Sequence, residues 1–141
     1  MEVRRATAAD VDVLQRLWEE STAETTFTPY PGASFEPALV TDHVTLVAET
    51  GGEIVGTVYA NLVAPHYGFV FGLYTRPSAR RRGVGRTLMR AIASELRARG
   101  RAYAVLSVDT PNAGAREFYE RLGFVDAARI LRASVDELVD G

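Results

Sequence analysis

Eight residues, Arg80-Arg-Arg-Gly-Val-Gly-Arg-Thr87, constrain this chain more than any other stretch. They follow a strand-like run, Tyr67 to Thr75, and open a helix-like one, Val84 to Arg99, in which Val84, Leu88, Ile92 and Leu96 recur at helical spacing. A chain passing from strand to helix through Gly83-Val84-Gly85 must turn tightly, and glycine lets its backbone approach a bound group. The first turn of a helix carries N–H groups without intrahelical partners and partial positive charge. Arg80, Arg81, Arg82 and Arg86 add guanidinium groups that pair with phosphate oxygens. The segment is therefore expected to hold a polyphosphate.

Charge is distributed in the same sense. Residues 76 to 101 carry nine arginines against one acid, Glu95, whereas the first 70 carry three against ten acids. One face is expected to attract an anion and another a cation. The chain has no cysteine and no lysine, which removes a thiol nucleophile, a thiolate metal site, a Schiff base and a lysine-based phosphate loop. His43 and His66 lack ligand spacing, so no metal is expected. No apolar run reaches membrane-spanning length and no signal peptide is legible, so the expectation is a cytoplasmic protein without a membrane partner. At 141 residues the chain fits one domain, 1–141.

The remaining elements alternate. Glu2 to Ala6 reads as a strand, and Thr7 with Asp10 as a capping pair for a helix with an apolar stripe of Val11, Leu14, Leu17 and Trp18. Ser21 to Phe35, with Pro29, Pro31 and Gly32, reads as a long loop, followed by a short helix near Glu36 to Asp42. Val44 to Glu49 and Glu53 to Val63 form a hairpin across Thr50-Gly51-Gly52. Gly72 is a candidate bulge in the next strand. Gly100 stops the second helix, Ala102 to Val108 is a strand, Pro111 opens a helix ending at Gly123, and Phe124 to Ala133 is strand-like. The fold class is mixed α/β, with an antiparallel front half and a strand–helix–strand–helix–strand back half.

The helix after Pro111 carries a second pattern, Asn112-x-x-Ala115-x-x-Phe118-Tyr119-x-x-x-Gly123-Phe124. Asn112 and Tyr119 are two helical turns apart and are expected on nearly the same face. This pattern, together with Arg80-x-x-Gly83-x-Gly85, resembles the GNAT superfamily of N-acetyltransferases in motif order and spacing. The motifs cover roughly residues 68 to 125, and element order extends the resemblance to nearly the whole chain.

The resemblance implies a central mixed, mostly antiparallel sheet, splayed between its fourth and fifth strands and flanked by helices. It implies an enzyme that moves an acetyl group from acetyl-coenzyme A to a primary amine by direct attack in a ternary complex. The pantetheine would pair with strand backbone at Leu73, Tyr74 and Thr75. The pyrophosphate would rest on the N–H groups of Arg81, Arg82, Gly83, Val84, Gly85, Arg86 and Thr87. Asn112 matches a position near the cysteamine end of the cofactor, and Tyr119 matches the general acid that protonates the departing thiolate. A homodimer is compatible with the resemblance, and nothing in the residues requires one.

Several points stay open on the sequence. The strand Phe69-Val-Phe-Gly-Leu-Tyr74 has no acid, so the base is unassigned among Asp109, His66, Glu24 and Glu49, or absent altogether. Tyr119 could instead be a core tyrosine, Asn112 and Asp109 could serve as helix caps, and Arg90, Arg97, Arg99 and Arg101 could be a solvated helix face. Phe27, Tyr30 and Phe35 with Glu24 and Glu36 suit an amine with an apolar body, without choosing between a small molecule and a protein or peptide amine, and equally suit a packed lid or a dimer contact. A noncatalytic acyl-coenzyme A sensor is the alternative. Nucleic-acid binding by the arginine-rich helix is disfavoured by a pI near 5.7 and the absence of interleaved aromatics.

Overall fold

The computed structural model describes residues 1–25 and 34–141. Phe27 and Tyr30 therefore lie outside the described residues. The chain forms two compact units, one of residues 1–25 and 34–106, the other of residues 107–141.

The first unit is built on a five-stranded sheet in sequential order. β1 (Glu2–Arg5), β2 (Val44–Thr50), β3 (Glu53–Asn61) and β4 (Tyr67–Thr75) pair antiparallel, and β5 (Tyr103–Val105) pairs parallel to β4. Gly51 and Gly52 join β2 to β3 with both residues at positive φ, the requirement of a tight two-residue hairpin. β5 pairs only with Tyr67, Gly68 and Phe69, so β4 from Val70 to Thr75 has no strand on that side among the described residues. This is the expected splay.

Two helices cover opposite faces. α1 (Val11–Glu24) follows a short 3-10 turn and buries Leu14 and Leu17 against Val47, Ile54 and Tyr74, with Val40 of α2 (Ala38–Thr41) in the same cluster. Each fully buried leucine contributes about 1.5–3 kcal/mol relative to exposure. α3 (Val84–Ala98) lays Leu88, Ile92 and Leu96 on the other face, so closely that a Cβ on Gly68 would lie 2.2 Å from Leu96. α1 continues through Ser21–Glu24, which had read as loop, because no breaker precedes Pro29.

Asp10 fastens the start of α1 to the sheet. Its carboxylate accepts two bonds from the Arg4 guanidinium, at 2.8 and 2.9 Å, and one from the Thr7 N–H at 2.7 Å. Arg4 also donates to Glu49 at 2.6 and 3.0 Å. Arg4 holds the Asp10 carboxyl below its usual 3.8 against the opposing effect of burial. Asp10→Asn is expected to cost about 2 kcal/mol near neutral pH, since Arg4 loses its charged bonds to Asp10 and keeps only those to Glu49. The carboxylate's contribution is complete above its unfolded pKa and is lost as pH falls through the lowered folded value, so the gap between wild type and variant should narrow in acid. Urea unfolding at both pH values measures it.

The second unit holds α4 (Ala113–Arg121) and α5 (Val135–Asp140). Residues 124–133 form no strand, contrary to the sequence reading. The Phe124 N–H is spent on the Tyr119 carbonyl, and the Asp126 carboxylate is gripped by Arg116 of α4 at 2.8 and 2.9 Å. Both hold the start of this segment to α4. α5, capped at Ser134, was not anticipated.

Candidate functional site: an N–H cradle at the start of α3

The turn into α3 has the geometry of an anion nest. Arg81 has φ 64 and Gly83 φ 77, ψ 14, so two left-handed residues alternate with others and turn successive N–H groups the same way. Among the described residues, no acceptor takes the N–H of Arg81, Arg82, Gly83, Val84, Gly85 or Arg86. The run is bounded on both sides. The Arg80 N–H bonds the Pro77 carbonyl at 3.3 Å, and Thr87 gives both its N–H and its hydroxyl to the Gly83 carbonyl, at 3.0 and 2.8 Å. Thr87 therefore leaves the donor set that the motif suggested.

The arginines divide between two tasks. Arg80 donates to the Thr75 carbonyl at 2.9 Å and to Glu24 at 2.5 Å, and its guanidinium lies 5.7 Å from the Tyr74 ring centre. It ties the loop to the last turn of α1. Arg81, Arg82 and Arg86 are exposed, and none has a partner among the described residues. The other arginines of this stretch are structural or solvated. Arg101 binds the Leu62 and Ala64 carbonyls, Arg99 pairs with Glu95, and Arg90 and Arg97 are exposed.

Leu73, Tyr74 and Thr75 lie on the unpaired length of β4. The Tyr74 side chain is buried toward α1 with its hydroxyl 3.4 Å from Glu20, so only its backbone serves that edge. Gly72 is the expected bulge. It has φ 66, the register with β3 shifts by one residue there, and a Cβ would lie 2.5 Å from Tyr59. Of the base candidates, Glu24 and Glu49 are held by Arg80 and Arg4, and His66 is exposed.

Within the second unit, Asn112 caps α4: its Oδ1 accepts from the Ala115 N–H at 3.0 Å, and Nδ2 has no partner among the described residues. Its φ of −90 and ψ of 76 are not helical, while its carbonyl accepts the first bond of α4, from the Arg116 N–H at 3.2 Å. Asp109 contributes its carbonyl, not its carboxylate, to that turn. The α4 terminus is a glycine stop in which Gly123 N–H bonds the Glu120 carbonyl and Phe124 N–H the Tyr119 carbonyl. The rings of Tyr119 and Phe124 meet edge to face at 5.6 Å, the apolar contact that accompanies such a stop. Burial raises the Tyr119 phenol above its usual 10, and its hydroxyl has no partner among the described residues.

A family model for the acetyltransferase (GNAT) family matches residues 11–124. The chain belongs to the GNAT family. A mycothiol acetyltransferase from Streptomyces avermitilis is 38% identical over 79 residues, which are 55% of this chain and 26% of that protein. The chain thus spans about a quarter of that curated relative. A Clostridium acetobutylicum structure, described as a predicted acetyltransferase with acetyl-CoA, superposes with a TM-score of 0.78 at 18% identity over 96% of this chain and 97% of that one. A ribosomal-protein-alanine N-acetyltransferase from Brucella melitensis gives 0.76 at 22% identity over 91% and 86%. These two likenesses are of fold.

His43 and Tyr59 escaped the sequence reading. Strand alternation of Thr57, Tyr59 and Asn61 was the available signal, and it marks a shared face without marking a function.

Proposed function

We propose that this GNAT chain transfers an acetyl group from acetyl-coenzyme A to a primary amine by direct attack, with residues 1–141 acting as one domain. The single observation that carries the reading is the run of six N–H groups without partners among the described residues, Arg81 to Arg86, at the start of a helix and beside three exposed arginines. Such a cradle suits a pyrophosphate, and Arg81, Arg82 and Arg86 suit the remaining phosphate charge. The unpaired edge of β4 supplies backbone groups for an amide-bearing chain such as pantetheine. The family match runs through both units, which supports treating them as one domain.

In the proposed reaction the amine nitrogen bonds the thioester carbonyl carbon and the carbon–sulfur bond breaks. Tyr119 gives its proton to the leaving sulfur, and the amine's surplus proton passes to solvent. A neutral phenol raised by burial remains a proton donor throughout the neutral range. Holding both reactants in place supplies the rest of the rate.

A second reading, a noncatalytic acyl-coenzyme A sensor, is favoured by one observation. β4 has no acid, and Glu24 and Glu49 are both ion-paired. Free thiol release from acetyl-coenzyme A across a panel of amines separates the two. Amine-dependent thiol supports the transferase; tight acetyl-coenzyme A binding with no release above the uncatalysed rate supports the sensor.

A further inference from the structure

Two buried polar atoms on the α1 face of the sheet have no partner among the described residues: His43 Nδ1 and the Tyr59 hydroxyl. Their protonation can be read from their neighbours. The Val63 N–H donates to Asn61 Oδ1 at 2.7 Å, which orients that amide and turns its Nδ2 toward His43 Nε2 at 3.3 Å. An amide nitrogen only donates, so Nε2 accepts, and a neutral imidazole then carries its proton on Nδ1. His43 thus presents a buried N–H with no acceptor among the described residues. Tyr59 is 1% exposed, and burial pushes its phenol up to about 12, with the neighbouring Thr57 hydroxyl acting the other way although the two do not meet in hydrogen-bond geometry. Its hydroxyl is a second protonated donor. The Thr57 hydroxyl gives its own proton to the Leu46 carbonyl.

The surroundings are aromatic. Phe71 stacks on Tyr59 at 5.3 Å and meets His43 edge-on at 5.6 Å, while Trp18 meets both Tyr59 and Phe35 at 6.1 Å. Tyr59 also lies against Gly72, at the bulge where β4 parts from its neighbour. The α1 carboxylates closest to this face in sequence, Glu20 and Glu24, are taken by Arg76 and Arg80.

Two donors without acceptors among the described residues, in an aromatic setting, match an oxygen-bearing apolar ligand, since buried donors are otherwise almost always paired. We infer that His43 and Tyr59 form an acceptor subsite for a primary amine carrying a carbonyl-type oxygen on an apolar or aromatic body, an aminoacyl amide, in preference to a plain alkylamine or polyamine. This inference rests on the transferase reading above for the role of the ligand.

The test compares phenylalaninamide with phenethylamine, which share the ring and the amine and differ in the carboxamide. Binding of each to the coenzyme A-loaded protein is measured by calorimetry, without requiring turnover. Wild type should favour the amide by about tenfold or more, the scale of one well-made hydrogen bond to a buried donor. Tyr59→Phe and His43→Phe, which keep a ring in place, should each remove most of that preference and leave phenethylamine nearly unaffected. Tyr59→Phe deletes one unpaired oxygen only, so it remains informative if the histidine variant fails to fold. A wild-type preference near one, failure of both ligands to bind, or a preference retained in Tyr59→Phe would overturn the inference, the last assigning the donors to internal water. Acetyl-coenzyme A binding and thiol release, assayed separately, show whether the transferase reading has failed or only the subsite.

Discussion

Gly83→Val is expected to lower acetyl-coenzyme A affinity by about a hundredfold or more while leaving the fold intact. Gly83 sits at φ 77, ψ 14, a conformation that a β-branched residue adopts only at a cost of about 1–3 kcal/mol. The variant relieves that strain by rotating the adjoining peptides, which turns the N–H groups of Gly83 and Val84 out of the cradle. Two lost charge-assisted bonds are worth about 1.5–3 kcal/mol each, so the sum exceeds two decades of affinity. Nothing lies within 4 Å of a Cβ built at this position, so the protein itself has room for the side chain. The effect should therefore appear in titration calorimetry with acetyl-coenzyme A and only slightly in the melting temperature. A Gly83→Val protein that binds like wild type would remove the N–H cradle from the account.

Tyr119→Phe should lower kcat by about 10²–10⁴-fold, the usual worth of a positioned general acid, with acetyl-coenzyme A affinity close to wild type. The ring survives, so the edge-to-face contact with Phe124 and the glycine stop of α4 are kept. The pH profile adds a signature. The active form is the neutral phenol, and burial raises its pKa above 10. Activity should climb with pH as the amine loses its proton, and it should not turn down from Tyr119 ionisation below about pH 10. Stopped-flow thiol detection with single-turnover mixing isolates this step. Unchanged turnover in Tyr119→Phe would return this residue to a purely structural role in the helix stop.

The cradle and its glycines were legible because their chemistry is local. Arg81 to Arg86 are consecutive, and Gly83 needs only its own dihedrals to be understood. The hairpin at Gly51-Gly52 and the bulge at Gly72 were legible for the same reason. What escaped depends on partners far away in the chain. Arg80 looked like a phosphate ligand by motif, yet its guanidinium is engaged by Glu24, 56 residues earlier. Asn112 carries the family's motif, yet its side-chain oxygen is engaged by the Ala115 N–H as the cap of α4. Phe124 to Ala133 has strand-forming residues, but strand formation requires a neighbour to pair with, and α4 holds the start of this segment through Asp126. His43 and Tyr59 carry no motif, and their interest comes entirely from which of their atoms lack partners among the described residues.

The most direct test of the central claim is thermal unfolding with and without acetyl-coenzyme A, beside adenosine diphosphate and a short DNA duplex. A ligand bound only by the folded state at a hundred times its Kd adds about 2.7 kcal/mol, which for a chain of this size raises the melting temperature by about 5 °C or more. The account predicts a clear rise with acetyl-coenzyme A, a smaller one with the diphosphate and none with DNA. No rise at millimolar acetyl-coenzyme A would contradict it, and would leave the six N–H groups at the head of α3 without the ligand proposed for them.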